Sequence, residues 1–167
     1  MRNTKLLVVV DESTASKRAV SYVARMVGRR RGFRVYLVHA LPELPASLIE
    51  YGGAKTPEEA NKLETEFHAE QKRWMLAAKE KAQPVLNLAR AALRKSGLAA
   101  GAIEGLFCYP ADGRARGDEI LELARERKCH TVVVGSESLS WLRQLLGTDP
   151  VEELLRRGKG FTIWIVE

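Results

Sequence analysis

The sequence predicts a doubly wound α/β domain: five parallel strands in the order 3-2-1-4-5, with helices on both faces of the sheet. Three observations lead there. The chain has 167 residues, the size of one domain whose single core buries roughly two-thirds of the unfolded surface. Its aliphatic runs, such as Leu6 to Val10, lack the alternation of a half-exposed strand and suit strands covered on both faces. These runs alternate with stretches of helical periodicity, so strand and helix follow one another along residues 1–167.

The first strand is predicted at Lys5 to Val10, ending at Asp11, with Asp11-Glu12-Ser13-Thr14 as turn and cap material. Ala19, Val20, Val23, Ala24, Met26 and Val27 then recur at helical spacing. This helix is expected to end near Arg31, with Gly32 as its stop. Arg34 to Ala40 is the second strand, completing a right-handed βαβ unit. Residues 41–57 carry Pro42, Pro45, Pro57 and the pair Gly52-Gly53, the composition of a long loop, either a functional lid or a mobile segment.

Thr56-Pro57-Glu58-Glu59 opens the next helix: Thr56 caps it, Pro57 fits the first turn and Glu59 completes a capping box. Helical composition runs on through residues 58–96. Unbroken, such a helix would be about 58 Å long, so a kink or split is predicted near Pro84. Beyond Pro84 the apolar face is broad (Val85, Leu86, Leu88, Ala89, Ala92, Leu93). Before it the face is narrow (Ala60, Leu63, Phe67, Trp74). The second half is therefore expected to cover the sheet. The first projects, either as a solvated amphipathic helix or, over residues 58–82, as a surface for a protein partner or dimer mate.

Ile103 to Tyr109 is the third strand. Asp118 caps a helix to Lys128, and Thr131 to Val134 is the fourth strand, ended by Gly135. A last helix is predicted at Asp149 to Arg157 and a fifth strand at Phe161 to Val166. The strand order is Rossmann-like and sets strands one and four side by side where the winding reverses. Ligands of such sheets bind there, at the carboxyl ends of the strands. The two segments at that point are Val10-Asp11-Glu12-Ser13 and Gly135-Ser136-Glu137-Ser138.

Composition removes several classes of function. Cys108 and Cys129 cannot build a disulfide framework or a four-cysteine zinc site. They fall toward opposite ends of the sheet, too far apart to pair. His39, His68 and His130 are scattered without metal-ligand spacing, so no metal centre is expected. The longest aliphatic run, five residues, is too short for a membrane span or a secretory signal. A cytoplasmic protein without membrane contact is expected. Ser13, Ser136, Ser138 and Ser140 lie near the crevice, but no G-x-S-x-G elbow accompanies them. His39, at the end of strand two, is expected to be packed and hydrogen-bonded rather than part of a triad, and no catalytic residue is assigned.

The net charge is +6 and unevenly spread. Residues 1–56 carry ten basic and four acidic residues, an excess of +6, while residues 98–167 carry nine and eleven, or −2. Arg25, Arg29, Arg30, Arg31 and Arg34 account for most of the excess. A nucleic-acid-binding module is one reading of that cluster. The absence of an aromatic-rich strand or recognition helix argues against it, and cations suit a helix C-terminus.

Three stretches carry a resemblance. The first strand runs into an Asp-x-Ser turn (VVVDEST), and the second ends in His-Ala (LVHA). The fourth is followed by VVVGSESLSWLRQLLGTDP. In this the chain resembles the universal stress protein family, whose late signature is Gly-x2-Gly-x9-Gly-Ser/Thr. The likeness runs from residue 5 to 167 and is loosest between 41 and 102. It implies an adenine nucleotide alpha hydrolase-like fold, a role in stress response, and in nucleotide-binding members a site for ATP, with Mg²⁺ only as its companion. Carried onto this sequence, it implies that Val10 and Asp11 sit near the ribose and the main chain of Ala40 meets the adenine edge. Gly135 and Ser136 would pass close to the ligand, and Ser138, Gly147 and Thr148 would cradle phosphates.

The signature is altered here. Ser138 stands where the second glycine is expected, adding a Cβ at a place of close approach. Eight residues rather than nine separate it from Gly147. Glu137 adds a negative charge where a triphosphate brings more, a repulsion of about 1 to 4 kcal/mol at 4 Å depending on the local dielectric. Asp149-Pro150-Val151-Glu152 furnishes the last helix with its own carboxylates, where an anion would otherwise bind. Arg114 and Arg116, in the loop after strand three, are the nearest substitutes for the missing phosphate contacts.

The expectation is a binding or regulatory module with an altered nucleotide pocket. The alternative is an ATP-binding member with at most slow hydrolysis. Phe161 to Val166, apolar on both faces at a sheet edge, would aggregate unless covered. Pairing with the same strand of a second chain gives a symmetric homodimer, as the resemblance also implies.

Overall fold

The computed structural model describes residues 4–49, 53–109, 116–137, 156 and 158–167. The strands are β1 (Thr4–Val9), β2 (Phe33–Ala40), β3 (Ile103–Cys108), β4 (Thr131–Gly135) and β5 (Thr162–Val166). The helices are α1 (Thr14–Val27), α2 (Pro57–Lys95) and α3 (Arg116–Glu126). The five strands form one sheet in the order β3-β2-β1-β4-β5, with every neighbouring pair parallel. This is the order the sequence predicts. The helix expected at 149–157 lies outside the described residues except for Arg156.

Two apolar layers sandwich the sheet. Leu6, Val8, Val10, Val35 and Leu37 face α1 and the second half of α2. Leu7, Val9, Tyr36, Val38, Val132 and Val134 pack on the other side, with Ile120, Leu121 and Ala124 of α3. Both faces of β1 are covered, so all its side chains from Leu6 to Val9 are 1% exposed or less. That is why its sequence is an unbroken aliphatic run and not an alternating one.

Cys108 and Cys129 are free and buried. Burial pushes the Cys129 thiol up to about 11, against the pull of Lys5 and Arg127, so it stays a packed, protonated thiol near neutral pH.

Three expectations need correction. α1 stops at Val27, not Arg31. Gly28 closes it, its N–H donating to the Ala24 carbonyl at 2.9 Å. Gly32, at φ 85°, instead turns the chain into β2. Asp118 does not cap α3, because that helix already begins at Arg116.

The third correction concerns the split near Pro84: α2 runs as one helix for 39 residues with Pro84 inside it. Proline removes one intrahelical hydrogen bond by orphaning the carbonyl four residues back. Here that residue is Glu80, and both Glu80 and Pro84 are exposed. Water can satisfy the carbonyl, so the helix does not split. Among residues 57–81 none is buried, and burial begins at Ala82. The first half therefore projects as expected, steadied by the Gln71 side-chain amide donating to the Leu48 carbonyl at 2.7 Å.

Pro84→Ala should restore the missing bond and raise stability by about 1 to 3 kcal/mol, measured by urea denaturation. A loss of stability would contradict the packing described for this helix.

Candidate functional site

β1 and β4 are direct neighbours, with Leu6, Leu7 and Val8 opposite Thr131, Val132 and Val133. Their carboxyl ends therefore deliver Val10, Asp11, Gly135 and Ser136 to one place. Ala40 closes β2, the next strand over. Backbone bonds hold these ends in line: Val10 N–H donates to Val38 at 2.8 Å, and Ser136 N–H to Val166 at 2.8 Å. The predicted site residues Ser138, Gly147 and Thr148 lie outside the described residues, as do Arg114 and the carboxylates of the 149–152 stretch.

The turn from β1 into α1 is built by three short side chains. Asp11 Oδ1 accepts from Ser13 N–H at 2.8 Å. Ser13 Oγ accepts from Ser16 N–H at 3.0 Å, capping the helix. Ser16 Oγ in turn accepts from Asp11 N–H at 2.9 Å. Ser13, not Asp11, is thus the N-cap, while Asp11 fixes the turn before it. The sequence reading missed Ser16, whose hydroxyl is 1% exposed with its residue; the spacing Ser13-x-x-Ser16 was the available signal.

Glu137 has a structural role that sequence reasoning also missed. It lies two residues past the end of β4, and its Oε2 accepts from Thr14 N–H at 3.2 Å. Thr14 is the first residue of α1. Oε1 faces Arg18, one turn further along, at 3.8 Å. The carboxylate therefore sits at the positive end of the α1 dipole, where an anionic ligand would otherwise be stabilised.

Gly135 owes its small size to this helix. A Cβ built on it would stand 2.6 Å from both the Ala15 carbonyl carbon and the Ser16 nitrogen. Those are backbone atoms and cannot swing away. Glycine at the end of β4 thus lets the first turn of α1 rest on the strand.

Two further features border the site. His39 is 8% exposed at the end of β2, yet neither ring nitrogen finds a hydrogen bond among the described residues. Its Nε2 lies 3.8 Å from Glu12 Oε1. It is packed as expected, with no hydrogen bond to its ring among the described residues. Beside Val10 and Asp11, between α1 and α2, lies a cavity of about 230 Å³ walled by Val20, Val85, Leu88, Ala89 and Ala92. No group of three or more His, Cys, Asp or Glu side chains among the described residues is placed to hold a metal ion. No described helix is long and apolar enough to cross a membrane.

Gly135→Ala should destabilise the fold by about 1 to 3 kcal/mol by forcing α1 off the strand. Gly101→Ala, with nothing within 4 Å of the new Cβ, should change stability by no more than about 0.5 kcal/mol. Thermal unfolding of the two variants provides the comparison; equal stability would contradict the seating of α1 on Gly135.

Comparison with solved structures supports the fold over nearly the whole chain. A universal stress protein family member from Burkholderia pseudomallei superposes with a TM-score of 0.60 at 16% identity, covering 98% of this chain and 95% of its own. A universal stress protein from Archaeoglobus fulgidus, solved in complex with dAMP, gives 0.54 at 21% identity, covering all of both chains. A family protein from Arabidopsis thaliana, solved with AMP bound, gives 0.54 at 16% identity, covering 98% of this chain and 90% of its own. Comparison with curated protein sequences finds no significant match. The model of the Universal stress protein family matches residues 2–105, spanning β1, α1, β2, α2 and the start of β3, and this chain therefore belongs to the universal stress protein family.

Proposed function

We propose that this chain is a binding and regulatory module acting in stress response, with a nucleotide pocket altered by its own carboxylate. One observation carries the reading: Glu137 Oε2 accepts from Thr14 N–H at 3.2 Å at the start of α1. The Arg18 guanidinium 3.8 Å from Oε1 gives the carboxylate a cationic neighbour there. A phosphate near this helix end would meet a negative charge and compete with Glu137 for the same donor. The described residues therefore do not fit a triphosphate with its Mg²⁺. A neutral ligand, or one placing an apolar group beside Val10 and Asp11, meets no such opposition.

A second reading is an ATP-binding module with at most slow hydrolysis. It is favoured by the juxtaposition of Asp11 and Gly135 across β1 and β4, with Ala40 on the adjoining strand. The family proteins described as complexes with dAMP and AMP lend it support. In both readings the module works as a homodimer through Phe161–Val166. β5 lies at the sheet edge, and Ile165 is 39% exposed. The projecting half of α2, residues 58–82, is the surface offered to a protein partner, and the cytoplasm is the proposed compartment.

Calorimetric titration of the wild-type chain with ATP and Mg²⁺ distinguishes the two readings. The altered pocket predicts no binding heat at millimolar ATP. Micromolar affinity would overturn it in favour of the second reading.

A further inference from the structure

A parallel doubly wound sheet sends the C-terminus of each crossover helix to the amino-end edge of the strands, opposite the pocket. Each of the three described helices arrives there with a basic residue in its last turn: Arg25 in α1, Arg94 and Lys95 in α2, and Arg125 in α3, the last beside Glu126 and paired with Glu122 at 3.4 Å. One cation per helix end satisfies the dipole, whose influence fades within a turn. The charge continues well past that point. Arg29, Arg30 and Arg31 follow the Gly28 cap and are exposed, and no carboxylate pairs with any of them among the described residues. Lys128 is exposed in the turn after α3, held at φ 56°.

The register joins these turns. Thr4 N–H donates to the Gly32 carbonyl at 2.7 Å, Lys5 Nζ donates to the Arg127 carbonyl at 2.9 Å, and His130 N–H reaches the Lys5 carbonyl at 3.4 Å. The turn before β2 and the turn before β4 thus flank the start of β1, about 10 Å apart across two strand spacings. Glu104 bonds Arg34 at 3.3 Å and Arg127 at 2.9 Å. A single carboxylate between two guanidinia leaves the pair net positive.

From this convergence we propose that the amino-end face of the sheet binds the phosphate backbone of a nucleic-acid duplex without sequence preference. Guanidinium groups match phosphate oxygens bidentately. Among the described residues, Met26 alone of the exposed large apolar side chains lies in a helix turn bordering this face, so the described part of the face lacks the apolar anchors of a membrane-inserting surface. Phe33 and Phe161 are only partly exposed, and the Arg125 guanidinium lies over the Phe161 ring at 5.5 Å. Little aromatic surface is left for stacking unpaired bases. The sequence shows only the cluster from Arg25 to Arg34; the fold brings α2, α3 and the turn before β4 to the same side.

The test is fluorescence anisotropy of a labelled mixed-sequence DNA duplex with the full chain. Wild type should bind at 50 mM salt, with affinity falling on a log–log salt slope of about −3 to −4 if some four phosphates are neutralised. Arg30→Glu with Arg31→Glu should weaken binding at least tenfold, and Lys128→Gln, on a separate turn, severalfold. Lys62→Glu with Lys72→Glu makes the same charge change on the projecting half of α2 and should bind as wild type does. Circular dichroism of each variant establishes that it is folded. Absence of duplex binding by wild type would overturn the proposal. So would equal loss in the α2 control, or retention by vesicles containing 30% phosphatidylserine in place of duplex.

Discussion

The contact on which the site depends is that between the first turn of α1 and Gly135 at the end of β4. β1 and β4 are neighbours because the winding reverses between them, and α1 leaves β1 toward the side where β4 ends. A Cβ on residue 135 would lie 2.6 Å from the backbone of Ala15 and Ser16. Only a strand ending in glycine accepts the helix at this depth. Once α1 is seated, Thr14 N–H comes within reach of Glu137, and the hydrogen bonds among Asp11, Ser13 and Ser16 close the turn that leads into the helix. The same contact that seats α1 against the end of β4 therefore also brings a carboxylate to the helix's first N–H.

This gives the glycine a meaning different from the one a phosphate-loop signature suggests. Close approach at Gly135 is approach of helix to strand. A bulky substitution there would disturb α1 before it reported on any ligand, so loss of binding in such a variant would say little about the pocket. Glu137 is the more informative position. Its carboxylate is exposed, contributes little to packing, and touches an N–H at the start of a helix, the kind of donor that binds phosphate.

The architecture was legible in the sequence because both faces of the sheet are covered. Leu6 to Val10 can be aliphatic without interruption only where helices lie above and below, and that burial dictates a parallel order. Helix ends were harder to read. Arg29 to Arg31 have helix-compatible side chains and obscured the stop at Gly28, whose N–H returns to Ala24. Pro84 suggested a break, but sequence alone does not show that the carbonyl it orphans faces water. Of the candidate site, the adjacency of Asp11 and Gly135 was legible from strand order, and Glu137 was visible as a charge. Its partner was not visible, because Thr14 and Glu137 are 123 positions apart and meet only once α1 rests on β4. His39 likewise looked like a satisfied strand-end histidine, and the absence of hydrogen bonds to its ring nitrogens among the described residues is a property of the surrounding walls.

The central claim is that Glu137 holds the start of α1 against phosphate. The direct measurement follows the backbone amide signals of Thr14 to Ser16 by nuclear magnetic resonance while AMP is added to wild type and to Glu137→Ala. The account predicts unmoved signals in wild type at millimolar AMP and a saturable shift at Thr14 in the variant. Saturable movement of the Thr14 amide in wild type, at an affinity the variant does not improve, would contradict it.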